Sequence, residues 1–131
     1  MKLGYVIVYV PDVAAAVAFY ERAFGLARRF VHESGQYAEM ETGATALAFA
    51  LEDLVAVSCP GFRANRLDAD PAGVEVGLVT DDVTASFARA IEAGAVAVLA
   101  PTRKPWGQTV SYVRDSNGFL VEICSAVAPA S

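Results

Sequence analysis

One pattern occurs twice in this chain, and it limits the fold more than any other feature. An alternating strand-like run, an aspartate, an amphipathic run and a glycine follow one another at Tyr5–Val10, Asp12 and Gly25. The same order returns at Glu75–Thr80, Asp82 and Gly94. In the first copy Leu3, Tyr5, Ile7 and Tyr9 point to one face, and Val6, Val8 and Val10 to the other. Asp12 and Asp82 suit N-caps, because a short carboxylate accepts from the free amides of a first helical turn. Val13, Val17, Tyr20 and Phe24 recur at helical spacing, and Gly25 suits the left-handed residue that ends a helix.

Each copy then continues into three further strand-like runs. They are Phe30–Val31, Tyr37–Glu41 and Thr45–Leu51 in the first copy, and Val96–Leu99, Val110–Arg114 and Phe119–Cys124 in the second. Turns at Glu41-Thr42-Gly43 and Asp115-Ser116-Asn117-Gly118 make hairpins of the last two runs in each. A repeat of about 70 residues is too long for a solenoid unit. The predicted fold is therefore α+β, with two copies of one βαβββ module inside a single domain. One domain is expected over residues 1–131. Module 1 takes about 1–52, a connection 53–73, module 2 about 74–125 and a frayed tail 126–131. Within the connection, Val55-Ala56-Val57 reads as a short strand, and Phe62 as a residue suited to a lid.

Composition excludes several classes of function. Of the 131 residues 55% are hydrophobic and 19% charged, so enough apolar surface exists to offset the entropy of ordering. No apolar run approaches the ~20 residues of a membrane span. A formal charge of −5 argues against nucleic acid as a partner, since phosphates need a basic face. The opening Met1-Lys2-Leu3 leads straight into a strand, which predicts no signal peptide and a cytoplasmic protein. Cys59 and Cys124 match no metal-binding spacing and read as reduced thiols.

Particular stretches carry a family resemblance. They are Val10-Pro11-Asp12-Val13, Phe19-Tyr20, Phe24-Gly25-Leu26, Trp106-Gly107-Gln108, Arg114-Asp115-Ser116-Asn117-Gly118 and Leu120-Val121-Glu122. Over Leu3 to Ser125 the chain resembles the vicinal oxygen chelate superfamily, which includes glyoxalase I, bleomycin resistance proteins and extradiol dioxygenases. The resemblance implies that the two βαβββ modules form a cupped mixed sheet with the helices on its convex side, that the protein is a homodimer, and that relatives keep a metal on the concave face. Strand 1 and the last strand of each module supply its ligands. Carried over by position, those sites are Tyr5, Leu47, Glu75 and Glu122, with Leu47 taken as four residues beyond Gly43, as Glu122 is beyond Gly118.

Leucine cannot ligate, and a neutral tyrosine is a rare ligand. The expectation is accordingly no family-type metal. Instead, a planar small molecule binds in an apolar cup lined by Tyr5, Ile7, Tyr9, Leu47, Phe49 and Trp106, with Glu75 and Glu122 supplying charge. The alternative is a divalent metal at Glu75 and Glu122, in a lyase or dioxygenase of the glyoxalase or extradiol type. If the two carboxyls are close, like charge and burial raise the pKa of one, which suits either acid–base catalysis or a cationic ligand. The structural reading pairs one of them with Arg114 or Lys104. For any single aromatic core packing is the favoured reading, except for Trp106, whose loop position suits a ligand or interface role as well. The only histidine, His32, reads as a partly exposed polar residue at a strand end.

Overall fold

A computed structural model describes residues 1–127, so the expected tail lies outside the described residues from 128 onward. The chain divides into two compact units, the first Met1–Asn65 and the second beginning at Arg66. Each contains one four-stranded mixed sheet, and three helices occur among the described residues.

In the first unit the elements are β1 (Tyr5–Val10), α1 (Val13–Phe24), β2 (Arg28–Val31), β3 (Tyr37–Met40), β4 (Ala46–Leu51) and α2 (Glu52–Ser58). The sheet order is β1-β4-β3-β2, with β1 and β4 parallel and the rest antiparallel. Asp12 caps α1 by accepting from the Ala15 amide at 3.0 Å. Gly25 ends the helix at φ 68°, a backbone conformation that side-chain-bearing residues rarely adopt. Val13, Val17 and Tyr20 of α1 pack with Phe49 and Met40 of the sheet to form the core.

The second unit repeats this arrangement with β5 (Glu75–Val79), α3 (Val83–Glu92), β6 (Val96–Arg103), β7 (Thr109–Arg114) and β8 (Leu120–Cys124). Its order, β5-β8-β7-β6, has the same directions as the first sheet. Asp82 caps α3 through the Ala85 amide, again at 3.0 Å.

Two local expectations are corrected. The segment at Val55–Val57 is helical, within α2, and not a strand. Three apolar residues carry no period of their own, while Glu52 and Asp53 favour a helix N-terminus. The sixth strand runs past Leu99 to Arg103, through Pro101. It pairs only with β7, and register shifts between Ala97 and Thr102 absorb the proline. Among the described residues no helix is long and apolar enough to cross a membrane.

Candidate functional site

Strand register decides which side chains share a face. In the second unit three rows cross the sheet face opposite α3: Glu75–Leu120–Arg114, Gly77–Glu122–Tyr112 and Val79–Cys124–Val110. The alternate residues Val113, Val121 and Ile123 are buried on the helix side. Glu75 and Glu122 are therefore diagonal neighbours on this face. The Tyr112 hydroxyl donates to Glu122 Oε2 at 3.1 Å. Opposite Glu122 in the register, and two residues after Glu75, stands Gly77, where an added Cβ would meet nothing within 4 Å. A glycine inside a strand costs stability, so this open notch beside Glu122 marks a place where something else can approach the backbone.

Partial desolvation, with the hydrogen bond and like charge from Glu122, raises the Glu75 carboxyl from its ordinary 4.5 to about 7. The same desolvation and the neighbouring Glu122 lift the Tyr112 phenol to about 12. Desolvation also raises the Cys124 thiol, to about 11, with Glu122 adding to the shift. A carboxyl held protonated to higher pH beside a second carboxyl is an arrangement suited to acid–base chemistry. Among the described residues no cation shifts the Glu75 carboxyl. Arg114 lies in its row but donates to backbone carbonyls, those of Gly118, Leu67, Arg66 and Ala69, at 3.0, 3.2, 3.0 and 2.6 Å. The alternative in which a carboxyl pairs with Arg114 thus gives way to a clamp on the connection.

A raised carboxyl pKa has a definite consequence for stability. The folded chain holds the Glu75 proton more tightly than the unfolded chain does. Stability from this group is therefore full below about 4.5 and is lost as pH rises to about 7. Urea midpoints of the wild type should fall between pH 5 and pH 8 by more than those of Glu75→Gln. Parallel pH profiles for the two proteins would refute the coupling.

The first unit arranges its open face differently. Tyr5, Ile7 and Tyr9 share it with Ala46, Ala48 and Ala50, and with Tyr37 and Glu39 of β3. Tyr5 is 57% exposed, and Tyr9 meets Phe62 edge-on with ring centroids 4.9 Å apart. Glu39, only 7% exposed, accepts from the Tyr37 hydroxyl at 2.8 Å and pairs with Arg29 at 3.4 Å. This acid carries its own cation, as Glu75 does not.

Leu47 and Phe49 do not lie on that face. They are 5% and 0% exposed, and the Phe49 ring packs on Tyr20 of α1. The reason is one residue of turn. Tyr5 pairs with Ala46, three residues beyond Gly43, whereas Glu75 pairs with Leu120, two beyond Gly118. An odd offset turns every side chain of a strand to the other face. The position matching Glu122 is Ala48, so the carried-over quartet becomes Tyr5, Ala48, Glu75 and Glu122. Tyr112 was within reach of sequence reasoning, since the 115–118 turn sets it opposite Glu122. Nothing in the sequence pointed to the use of Gly77 or to the Arg114 clamp.

Trp106 occupies the β6–β7 hairpin tip and is 60% exposed. Its indole N–H donates to Gln108 Oε1 at 2.8 Å, and the Gln108 amide nitrogen donates to the Ser125 carbonyl at 3.0 Å. His32 Nδ1 accepts from the Ser34 amide at 3.1 Å, in the β2–β3 turn. Both cysteines are free, Cys59 exposed and Cys124 buried. Among the described residues no group of three or more His, Cys, Asp or Glu side chains is placed to hold a metal ion.

Comparisons with known proteins agree on the fold. The family model for the Glyoxalase/Bleomycin resistance protein/Dioxygenase superfamily matches residues 2–123. An uncharacterized protein of Mycobacterium bovis is 30% identical over 111 residues, covering 83% of this chain and 73% of the relative. A glyoxalase-related enzyme from Fulvimarina pelagi is similar in structure, with a TM-score of 0.81 at 18% identity, over 100% of this chain and 99% of that one. A glyoxalase/bleomycin resistance protein/dioxygenase family enzyme from Burkholderia phytofirmans gives 0.80 at 20% identity, over 98% and 100%.

Proposed function

The chain belongs to the Glyoxalase/Bleomycin resistance protein/Dioxygenase superfamily, and from this premise we propose that it binds a planar small organic molecule without a metal of the family type. The observation that carries the reading is the second unit's open face. There open space at Gly77 adjoins the neighbouring carboxyls of Glu75 and Glu122, and the exposed Trp106 is bonded to Gln108, itself anchored at the Ser125 carbonyl just after β8. An aromatic surface and a few convergent polar groups are what small-molecule sites consist of. On the first unit, Tyr5, Ile7 and Tyr9 are proposed ligand contacts in their own right.

Donor chemistry supports the metal-free reading. At the positions where relatives keep their ligands, Ala48 offers no donor and Tyr5 only a phenol. Glu75 and Glu122 alone leave a divalent ion short of the six or so oxygens it gathers. No step of a reaction is therefore assigned to a metal.

Two measurements test the proposal. Proflavine, a planar cation, should quench Trp106 emission saturably in protein stripped with chelator. Calorimetry with Ni²⁺, Mn²⁺ and Zn²⁺ should give no tight stoichiometric binding. Tight binding of one ion per chain, abolished by Glu122→Gln, would replace this reading with that of a metal-dependent lyase or dioxygenase.

A further inference from the structure

An exposed indole with a free N–H samples several rotamers, and anything that stacks on it must first freeze that motion. Trp106, the chain's single tryptophan, is held before any ligand arrives. Pro105 fixes the backbone angle just ahead of it. Behind it, Gly107 at φ +90° donates its amide to the Lys104 carbonyl at 2.9 Å, and the Lys104 amide donates to the Gln108 carbonyl at 2.7 Å. These bonds close the hairpin tip around the tryptophan. The side chain is fixed as well, by its 2.8 Å bond to Gln108 Oε1.

Gln108 is suited to that task. It is 9% exposed, and its amide nitrogen donates to the Ser125 carbonyl at 3.0 Å. With the nitrogen committed to an acceptor at the end of β8, the oxygen has one orientation, toward the indole. The ring is thus tethered through a buried amide to the central strand of the sheet, while most of its surface stays open.

We propose that Gln108 is a positioning residue, presenting the Trp106 indole as a rigid platform on which an aromatic ring of the bound molecule stacks. The inference rests on the small-molecule reading above and adds a statement about ligand class. Because the protein already satisfies the indole N–H, a molecule covering the ring needs no acceptor at that point. The platform selects π surface, and it is indifferent to the pattern of heteroatoms above it.

The single indole gives one N–H signal in a ¹H–¹⁵N spectrum, which makes the test direct. In the wild type its exchange with water should be at least about tenfold slower than in Gln108→Met, which keeps volume and loses the acceptor. Gln108→Glu, which keeps an acceptor oxygen but loses the donor to the Ser125 carbonyl, should exchange faster than the wild type and slower than Gln108→Met. Proflavine affinity should drop about three- to tenfold in Gln108→Met, the cost of freezing one side chain on binding. In a Trp106→Phe background, where there is no N–H to hold, the same change should cost nothing further.

Equal exchange rates in the wild type and Gln108→Met would overturn the proposal. So would an equal affinity loss in both backgrounds, since Gln108 would then act only on general packing. Slow exchange together with no proflavine binding at all would sink the small-molecule reading and leave the positioning of the ring standing.

Discussion

Phe49→Ala is expected to cost about 3–5 kcal/mol, the usual penalty for truncating a fully buried aromatic. Its ring is 0% exposed and packs on Tyr20 with centroids 4.8 Å apart, so its removal leaves a void under α1. A domain of this size has about 5–15 kcal/mol to lose, which makes the variant marginal at best. Urea unfolding should show a lower midpoint with an unchanged slope. Ile7→Ala is the control, because Ile7 is on the opposite face and already 44% exposed. It should cost much less. A loss below about 1 kcal/mol for Phe49→Ala would mean that the ring is not core. Where the variant stays folded, it should bind proflavine as the wild type does, because its side chain never reaches the open face.

The second large effect falls at Gly118. A methyl group there would stand 2.6 Å from both the Arg66 carbonyl oxygen and Arg114 Nη2, at a backbone φ of +92°. Two penalties combine. The left-handed backbone alone costs a side-chain-bearing residue about 1–2 kcal/mol. The collision adds to it, because a backbone carbonyl cannot swing aside as a flexible side chain can. We expect about 3 kcal/mol or more for Gly118→Ala, by the size of such strain and lost hydrogen bonds. Gly43→Ala isolates the first penalty: φ is +97° there and nothing lies within 4 Å of the added atom. Amide exchange at residues 66–69 should quicken in Gly118→Ala and stay slow in Gly43→Ala. Equal costs for the two substitutions would show that the close approach at Gly118 contributes nothing. Arg114→Lys should loosen the same segment without touching Gly118, since one ammonium cannot reproduce a guanidinium fork that reaches four carbonyls.

Much of the fold was legible because its punctuation is local. Asp12 and Asp82 announce the two helices through a bond to an amide three residues on, and each makes that bond. Alternation over Tyr5–Val10 correctly separates Val8 and Val10, which are buried, from Tyr5 and Ile7, which are not. Features set by pairing were harder. A single extra residue between Gly43 and β4 turned Leu47 and Phe49 inward, and turn length, unlike turn type, carries no residue signature. The site divides along the same line. Glu75 and Glu122 stand at positions that the family resemblance assigns to one concave face, and β5 and β8 pair so that the two are neighbours. The destination of Arg114 is not, because its partners are carbonyls, which every residue has.

Parallel pairing of β1 with β4, and of β5 with β8, also dictates an order of events during synthesis. In each unit the first strand to leave the ribosome must wait about forty residues for the strand it pairs with. Contacts closed over such a span form late and slowly. The hairpins β3–β4 and β7–β8 join near neighbours and can form first. For both units, then, the strand bearing Tyr5 or Glu75 is the last to be installed. An interrupted chain that has made everything except β4 or β8 would carry that strand unpaired, with its apolar residues available to other chains. The residues that furnish the open faces are thus also those most exposed to misassembly while the chain is still being made.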